Sequence, residues 1–343
     1  MSNITLIGFG ITGQFLLSYI LDVIPANKIT IIDPDFLGGD LARHYGGIRS
    51  NTTIENKLRA LDKLPSVWSE TISSLKARGD PSETVFLGDL ITDLRKTSVR
   101  LASSCHTIYD RVEKAVWSDE LKQWSLHLKS GAKHLSQIVC FCGGMSPRQE
   151  DYGIPIIPLS IALDQERLKR LIRDGQQVVV VGSAHSATLI LKNLNNISDI
   201  KITCLYRGSK PFKFARDGQY SGIKQESADI ADAIEKGLYT DLMMVPITNI
   251  KAVSKATRKA DWIIQALGFD PVFPVILNGD TLVVPTWDPS TGLASELQNT
   301  QAFGACVPNT TTVNDTKFPD ISLGSFVDQM SIRWPLLKAL IQA

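Results

Sequence analysis

Two short segments carry residue types and spacings suited to holding phosphate. The first, Gly8-Phe9-Gly10-Ile11-Thr12-Gly13, follows the apolar run Ile4 to Ile7 and precedes an apolar, helix-like stretch. Glycines at this spacing allow a tight turn and bring bare backbone N–H groups against a pyrophosphate at a helix N-terminus. The next apolar run, Ile29 to Ile32, ends in Asp33, an acid placed to take ribose hydroxyls. The second segment, Gly182-Ser183-Ala184-His185-Ser186-Ala187, follows Val178 to Val181, and its next strand-like run, Ile200 to Tyr206, ends in Arg207. An arginine at that point suits a 2′-phosphate. Two such segments in one chain imply two nucleotides, FAD and NADPH, exchanging a hydride.

The elements that must position these loops follow from hydrophobic periodicity. Residues 4–33 read as strand, helix, strand, and Pro34 to Gly39 as a sharp turn. Residues 53–79 carry apolar side chains at helical spacing, divided by Pro65 into two short helices. Residues 85–91 read as a strand and 93–105 as a helix. From Ile108 to Leu128 apolar and polar residues alternate around the turn Ser118-Asp119-Glu120, the pattern of an antiparallel meander. The run Ile138 to Cys142, ending in Gly143-Gly144, reads as a strand returning to the first domain. After a linker at 151–158, the helix-like stretch 161–174 leads into the second loop, and Trp262 to Leu267 closes the second unit as a strand before Gly268. A final apolar helix surrounds Trp334 to Ile341. The fold class read from this order is α/β with two Rossmann-type dinucleotide-binding domains, the second inserted into the first. The expected boundaries are 1–155 with 270–343 for the FAD domain and 156–269 for the NADPH domain.

Composition narrows the class without naming the activity. The chain has 343 residues, 43% of them hydrophobic and 21% charged, with a net charge of +1. These are ordinary values for a globular protein, with no electrostatic reason to expect nucleic acid. No apolar run is long enough for a membrane span and no basic n-region opens the chain. With five cysteines and no Cys-x-x-Cys pair, a disulfide-stapled secreted domain and a dithiol reductase are both disfavoured, and a cytoplasmic location is expected. A homo-oligomeric assembly stays open. The histidines do not combine with cysteines or acids at metal-ligand spacing, so no metal is expected.

The succession of GxGxxG, acid, Gly-Gly, meander, glycine-ended strand and second phosphate loop resembles the two-dinucleotide-binding-domain flavoproteins. The second loop is similar to that of flavin-containing monooxygenases and of small pyridine-nucleotide oxidoreductases. The stretch Gly218-Gln219-Tyr220-Ser221-Gly222-Ile223 resembles the latter group. The resemblance implies that Gly8, Gly10 and Gly13 hold the FAD pyrophosphate and Asp33 the adenosine ribose. It implies that Gly38 and Gly39 let backbone approach the cofactor, and that Val112 touches adenine through its main chain. Gly144 and Gly268 would end the two returning strands. Gly182, Ala184, Ser186 and Ala187 would hold the NADPH pyrophosphate, and Arg207, helped by Lys210, the 2′-phosphate.

Arg49-Ser50-Asn51-Thr52 resembles a Ser-Asn-Thr segment of those monooxygenases whose asparagine faces the flavin. Asn51 is therefore one candidate catalytic side chain, and His185, in the second phosphate loop where it could face flavin or nicotinamide, is the other. The family's last FAD motif, a strand ending in Gly-Asp, has its nearest counterpart at Leu323-Gly324-Ser325, without the acid. The implied activity is an FAD- and NADPH-dependent monooxygenase using O2 on a small molecule. The alternatives are an NADPH-linked reductase or dehydrogenase without a cysteine pair, or a nucleotide-binding protein without turnover.

Overall fold

The apolar runs pair side by side in parallel, as expected of strands buried on both faces. In the computed structural model, which describes residues 3–212, 223–313 and 316–343, the chain divides into two compact units. One comprises 1–146 and 271–343, the other 147–270.

The first unit is built on a five-stranded parallel sheet in the order Thr300–Ala302, Ile138–Phe141, Ile4–Ile7, Ile29–Asp33, His106–Tyr109. Ile4 lies between Ile29 and Ile138 in register. One face is covered by the helix Ile11–Ile20, whose Phe15, Leu16, Leu17 and Ile20 are completely buried. Each such side chain contributes roughly 1.5–3 kcal/mol by leaving water. Trp68 meets the Phe15 ring edge-on at 5.2 Å and donates its indole N–H to Ser18 Oγ at 3.0 Å, so its polar end is satisfied inside the core. The helices Leu87–Ala102 and Leu323–Gln342 pack against the same helix.

The other face carries a second sheet in the order Thr281–Val283, Val275–Asn278, Val112–Ser118, Gln123–Leu128, Lys133–Ser136. Its inward residues Val112, Ala115, Trp117, Trp124, Leu126 and Leu128 form one core with Val139 and Phe141 of the parallel sheet.

Two local expectations change. Residues 85–91 are not one strand: Thr84–Phe86 is extended, and the helix begins at Leu87. Leu90, Ile91 and Leu94 then fall on one buried helical face, so the packing selects the 3.6-residue period. The meander begins at Val112, not Ile108. His106–Tyr109 pairs in parallel with Ile29–Asp33 and completes the first sheet.

The second unit holds its own five-stranded parallel sheet, in the order Ile156–Ile157, Trp262–Gln265, Gln177–Val181, Lys201–Tyr206, Leu242–Pro246. Its central strand reads Gln-Val-Val-Val-Val and is buried along almost its whole length. Among the described residues no helix is long and apolar enough to cross a membrane.

Candidate functional site

In the first unit the candidate site is assembled at the carboxyl ends of the parallel strands, where open α/β sheets bind ligands. Gly8 leaves the first strand at φ +97°, and a Cβ there would stand 2.5 Å from the Cys142 carbonyl oxygen. Its N–H donates to the Ile32 carbonyl at 2.9 Å. A Cβ on Gly13 would strike the Gly8 carbonyl, which lets the helix start hard against the loop. Gly10 caps that helix without a side-chain acceptor, so its first N–H groups are left for a ligand. Gly39 comes so close that a Cβ on it would stand 3.2 Å from Gly10 Cα, and Gly38 precedes it. This bare-backbone cradle fits a pyrophosphate.

Asp33 is 4% exposed, and its carboxylate is already in use. It accepts hydrogen bonds from the Phe9 N–H at 2.7 Å, the Phe36 N–H at 2.8 Å and the Asp35 N–H at 3.1 Å. The acid therefore ties the phosphate loop to the turn after the second strand, with at most one acceptor direction left for a ribose. Beside it, Arg43 bridges Asp35 at 2.7 Å and Asp40 at 2.9 Å. Burial raises the Asp35 carboxyl, but hydrogen bonding from Arg43 and the Leu37 N–H outweighs it and holds the group below the usual carboxylate range. Val112 is buried at the start of the meander, next to a bulge. Gly144, at φ +74°, accepts the Val272 N–H at 3.0 Å.

Asn51 lies in the short strand Arg49–Thr53, paired antiparallel with Thr84–Phe86. It is half-buried, and its Oδ1 accepts the Thr52 hydroxyl at 3.2 Å. Lys57, 2% exposed, donates its Nζ to the Thr52 carbonyl and pins this segment to the following helix.

Gly324 is corrected by the fold. It is the second residue of the helix Leu323–Gln342, capped by Ser322 Oγ, and ends no strand. The terminal strand of the first sheet is Thr300–Ala302, followed by Phe303-Gly304-Ala305-Cys306. Alanine thus stands after the glycine where the resemblance calls for an acid, so the ribityl carboxylate of the family pattern does not fit this chain. Sequence reading misses this strand because it carries a glutamine. Gln301 is buried and donates to the Thr291 and Arg333 carbonyls.

Arg333 is the other missed residue. It is fully buried and donates to the Ala302, Val307 and Pro289 carbonyls, with the Asp288 charge acting on it from nearby. Burial pushes it down to about 10.

The second unit repeats the loop geometry. Gly182 leaves its strand at φ +114° and donates to the Leu205 carbonyl at 2.8 Å, and a Cβ there would strike the Ala266 carbonyl. Ala184 caps the helix His185–Asn195 without a side-chain acceptor, Ala187 is fully buried, and Ser186 sits half-buried between them. His185 opens the helix. Burial, and then the Lys224 charge, push its imidazole below the usual histidine range, and its Nδ1 has no hydrogen-bond partner among the described residues. Arg207 and Lys210 are exposed at the end of Lys201–Tyr206. Gly268, at φ +91°, accepts the Arg148 N–H at 2.9 Å. Residues 218–222, singled out in the sequence, lie outside the described residues.

No protein-family model matches the chain. Monooxygenase AgnR1 of Paecilomyces divaricatus is 25% identical over 260 residues, which are 66% of this chain and 65% of that protein. The match thus spans just under two thirds of the curated relative. Among solved structures, bacillithiol disulfide reductase from Bacillus cereus is similar with a TM-score of 0.62 at 13% identity, over 98% of this chain and 99% of that one. The flavin-containing monooxygenase from Stenotrophomonas maltophilia has a TM-score of 0.58 at 14% identity, over 99% and 97%. OTEMO in complex with FAD and NADP has a TM-score of 0.63 at 11% identity, over 99% and 84%. The chain shares the two-unit, Rossmann-like α/β fold of these solved structures.

Proposed function

We propose that this chain is an FAD- and NADPH-dependent oxidoreductase of the monooxygenase kind, acting with O2 on a small molecule. The observation that carries the reading is the first cradle, in which Gly8, Gly10, Gly13 and Gly39 leave only backbone around an uncapped helix N-terminus. We assign the unit of residues 1–146 and 271–343 to FAD and the unit of residues 147–270 to NADPH, so the boundaries expected at 155 and 270 move to 146 and 271. Gly8, Gly10, Gly13, Gly38, Gly39, Asp33, Val112 and Gly144 serve the first nucleotide. Gly182, Ala184, Ser186, Ala187, Arg207 and Gly268 serve the second.

The first-unit cradle would hold FAD, which would supply the redox chemistry, a hydride acceptor toward NADPH and an electron donor onward. The chain's own residues bind and orient. The first-turn N–H groups hold pyrophosphate, Asp33 keeps the loop closed, and Asn51 offers an amide to the oxygen chemistry. His185, kept neutral by burial, adds no charge beside the NADPH pyrophosphate. Support for the monooxygenase activity comes from the flavin monooxygenases among the structural neighbours and from AgnR1.

The cysteines speak against thiol-based reduction. Cys140, Cys142, Cys204 and Cys306 are buried, and burial pushes each thiol up, to about 12 for Cys204 and about 11 for Cys306. A reactive redox thiol needs the opposite shift.

The test is the absorbance of the protein saturated with FAD and then mixed anaerobically with NADPH. Bleaching of the flavin band by NADPH, faster than by NADH, is expected, followed by oxygen consumption matched by product. A protein that takes up no FAD at micromolar concentration overturns the reading.

A further inference from the structure

The carboxyl edge of the first sheet is polar on one side of the cradle and apolar on the other. On one side, Asp33, Asp35, Asp40 and Arg43 follow the end of Ile29–Asp33, and Asp110 and Arg111 follow the end of His106–Tyr109. On the other side, Ile138–Phe141 runs into Cys142-Gly143-Gly144, and Thr300–Ala302 runs into Phe303-Gly304-Ala305-Cys306. Neither of these last two segments carries a hydroxyl, an amide or a charged side chain. Beside them the rings of Phe141, Phe273 and Trp287 pack together.

The backbone of the turn after Thr300–Ala302 is already in use. Gly304 donates its N–H to Gln329 Oε1 at 2.6 Å, and Arg333 donates to the Ala302 and Val307 carbonyls at 2.8 Å each. Both side chains come from the helix Leu323–Gln342. Cys306 donates its thiol to the Phe303 carbonyl at 3.2 Å. The turn also rests on the helix that forms the cradle, since a Cβ on Gly304 would strike Thr12 Oγ1. From Ala302 to Cys306, Ala305 alone is only half-buried.

A dinucleotide laid across this edge has its acid-contacted ribose on the polar side and its other half on the apolar side. In FAD that half begins with the ribityl chain, a linker carrying several hydroxyls. Hydroxyls that leave water without a partner give back what the flavin ring gains from apolar contact.

We propose that the first cradle holds its nucleotide by the adenosine-diphosphate half alone, and that Ala305 is the position that withholds affinity from the flavin half. This rests on the FAD reading above. ADP then competes with FAD on nearly equal terms. The test uses the full-length protein. FAD affinity is read from flavin fluorescence and ADP affinity from its displacement of FAD, with calorimetry of ADP alone as a second reading. ADP is expected to bind within about ten-fold of FAD, because the hydroxyls offset the ring. Ala305→Asp sets a carboxylate acceptor at the half-buried position. It should tighten FAD by about ten-fold or more, the effect of one hydrogen bond to a charged group, and leave ADP no tighter than in the parent. FAD binding more than about ten-fold tighter than ADP in the parent overturns the proposal, as does an Ala305→Asp variant that gains nothing for FAD or gains equally for both nucleotides. The parent ratio needs no variant and decides alone if Ala305→Asp does not fold. A protein that takes up ADP, and loses it in Gly10→Val, yet takes up no FAD overturns the flavoprotein reading and not the recognition of the ADP half. Uptake of neither nucleotide overturns both.

Discussion

The two phosphate loops are the same device built with different side chains. In each, the first glycine turns at positive φ, donates to the neighbouring strand and passes under a carbonyl of the returning strand. The carbonyl acceptors are Ile32 and Leu205, and the overlying carbonyls are those of Cys142 and Ala266. The loops part at the next strand end. Asp33 is buried and bonded to three N–H groups, while Arg207 is exposed. The first loop is locked to its acid from within. The second leaves its charged residue open to solvent. Stability is thus expected to depend on the first strand end and selectivity on the second.

The largest effect should come from placing a side chain in the first cradle. Gly10→Val puts a branched side chain where pyrophosphate meets bare backbone and should weaken FAD binding by roughly a hundred-fold or more, with circular dichroism unchanged. Ala184→Gly, at the matching point of the second loop, should leave NADPH binding within about two-fold. Flavin content of the purified variants checks the first and a fluorescence titration the second. Equal losses would erase the distinction between the loops.

Next in size, Asp33→Ala strands three N–H donors, two of them on buried residues. At about 1–3 kcal/mol for each unpaired buried group, several kcal/mol of stability should disappear. Urea denaturation measures this, and Arg207→Ala in the same assay should unfold with the parent. An unchanged midpoint for Asp33→Ala would show that the acid serves only a ligand.

Arg207→Ala should instead raise the NADPH KM about ten-fold and leave NADH untouched, from roughly 1.5–3 kcal/mol for a charge-assisted contact. Steady-state kinetics with both cofactors decides it, and equal changes would remove Arg207 from the site.

A smaller, pH-dependent effect should follow from His185. Its folded-state pKa is lowered below 6.5 by burial and by Lys224, with Glu226 opposing. Above 6.5 the imidazole is neutral in both folded and unfolded chains and contributes no pH dependence. As pH falls below 6.5 the unfolded chain takes up the proton first, so the folded state loses stability down to the lowered pKa. His185→Gln should flatten that part of the melting-temperature profile, and an unchanged slope would show that another group titrates there.

Asn51→Ala should have the mildest effect on flavin reduction. Anaerobic reduction by NADPH is expected to stay within about three-fold, since the role proposed for its amide lies in the oxygen step. The share of oxygen released as hydrogen peroxide should rise, as measured by a peroxidase-coupled assay. An unchanged share would favour the reductase alternative.

Sequence alone determined the local devices. Gly8, Gly182, Asp33 and Arg207 announce themselves because tight turns, strand ends and apolar runs are set by residues close in the chain. The strands Ile4–Ile7, Ile138–Phe141 and Gln177–Val181 were legible for the same reason, as apolar runs between turn signals. What depended on distant residues was not legible. Thr300–Ala302 is a strand because Phe141 and Val139 pair with it, not because its residues favour one. Gly324 read as a strand end and is a helix start, because Ser322 caps it. Arg333 looks like a surface residue and is buried among carbonyls supplied by residues 24 to 44 positions away. The rings of Phe141, Phe273 and Trp287 converge only in the folded chain. Hydrogen bonds between remote carbonyls and packing between remote rings leave no period in the sequence, so only the folded chain could decide them.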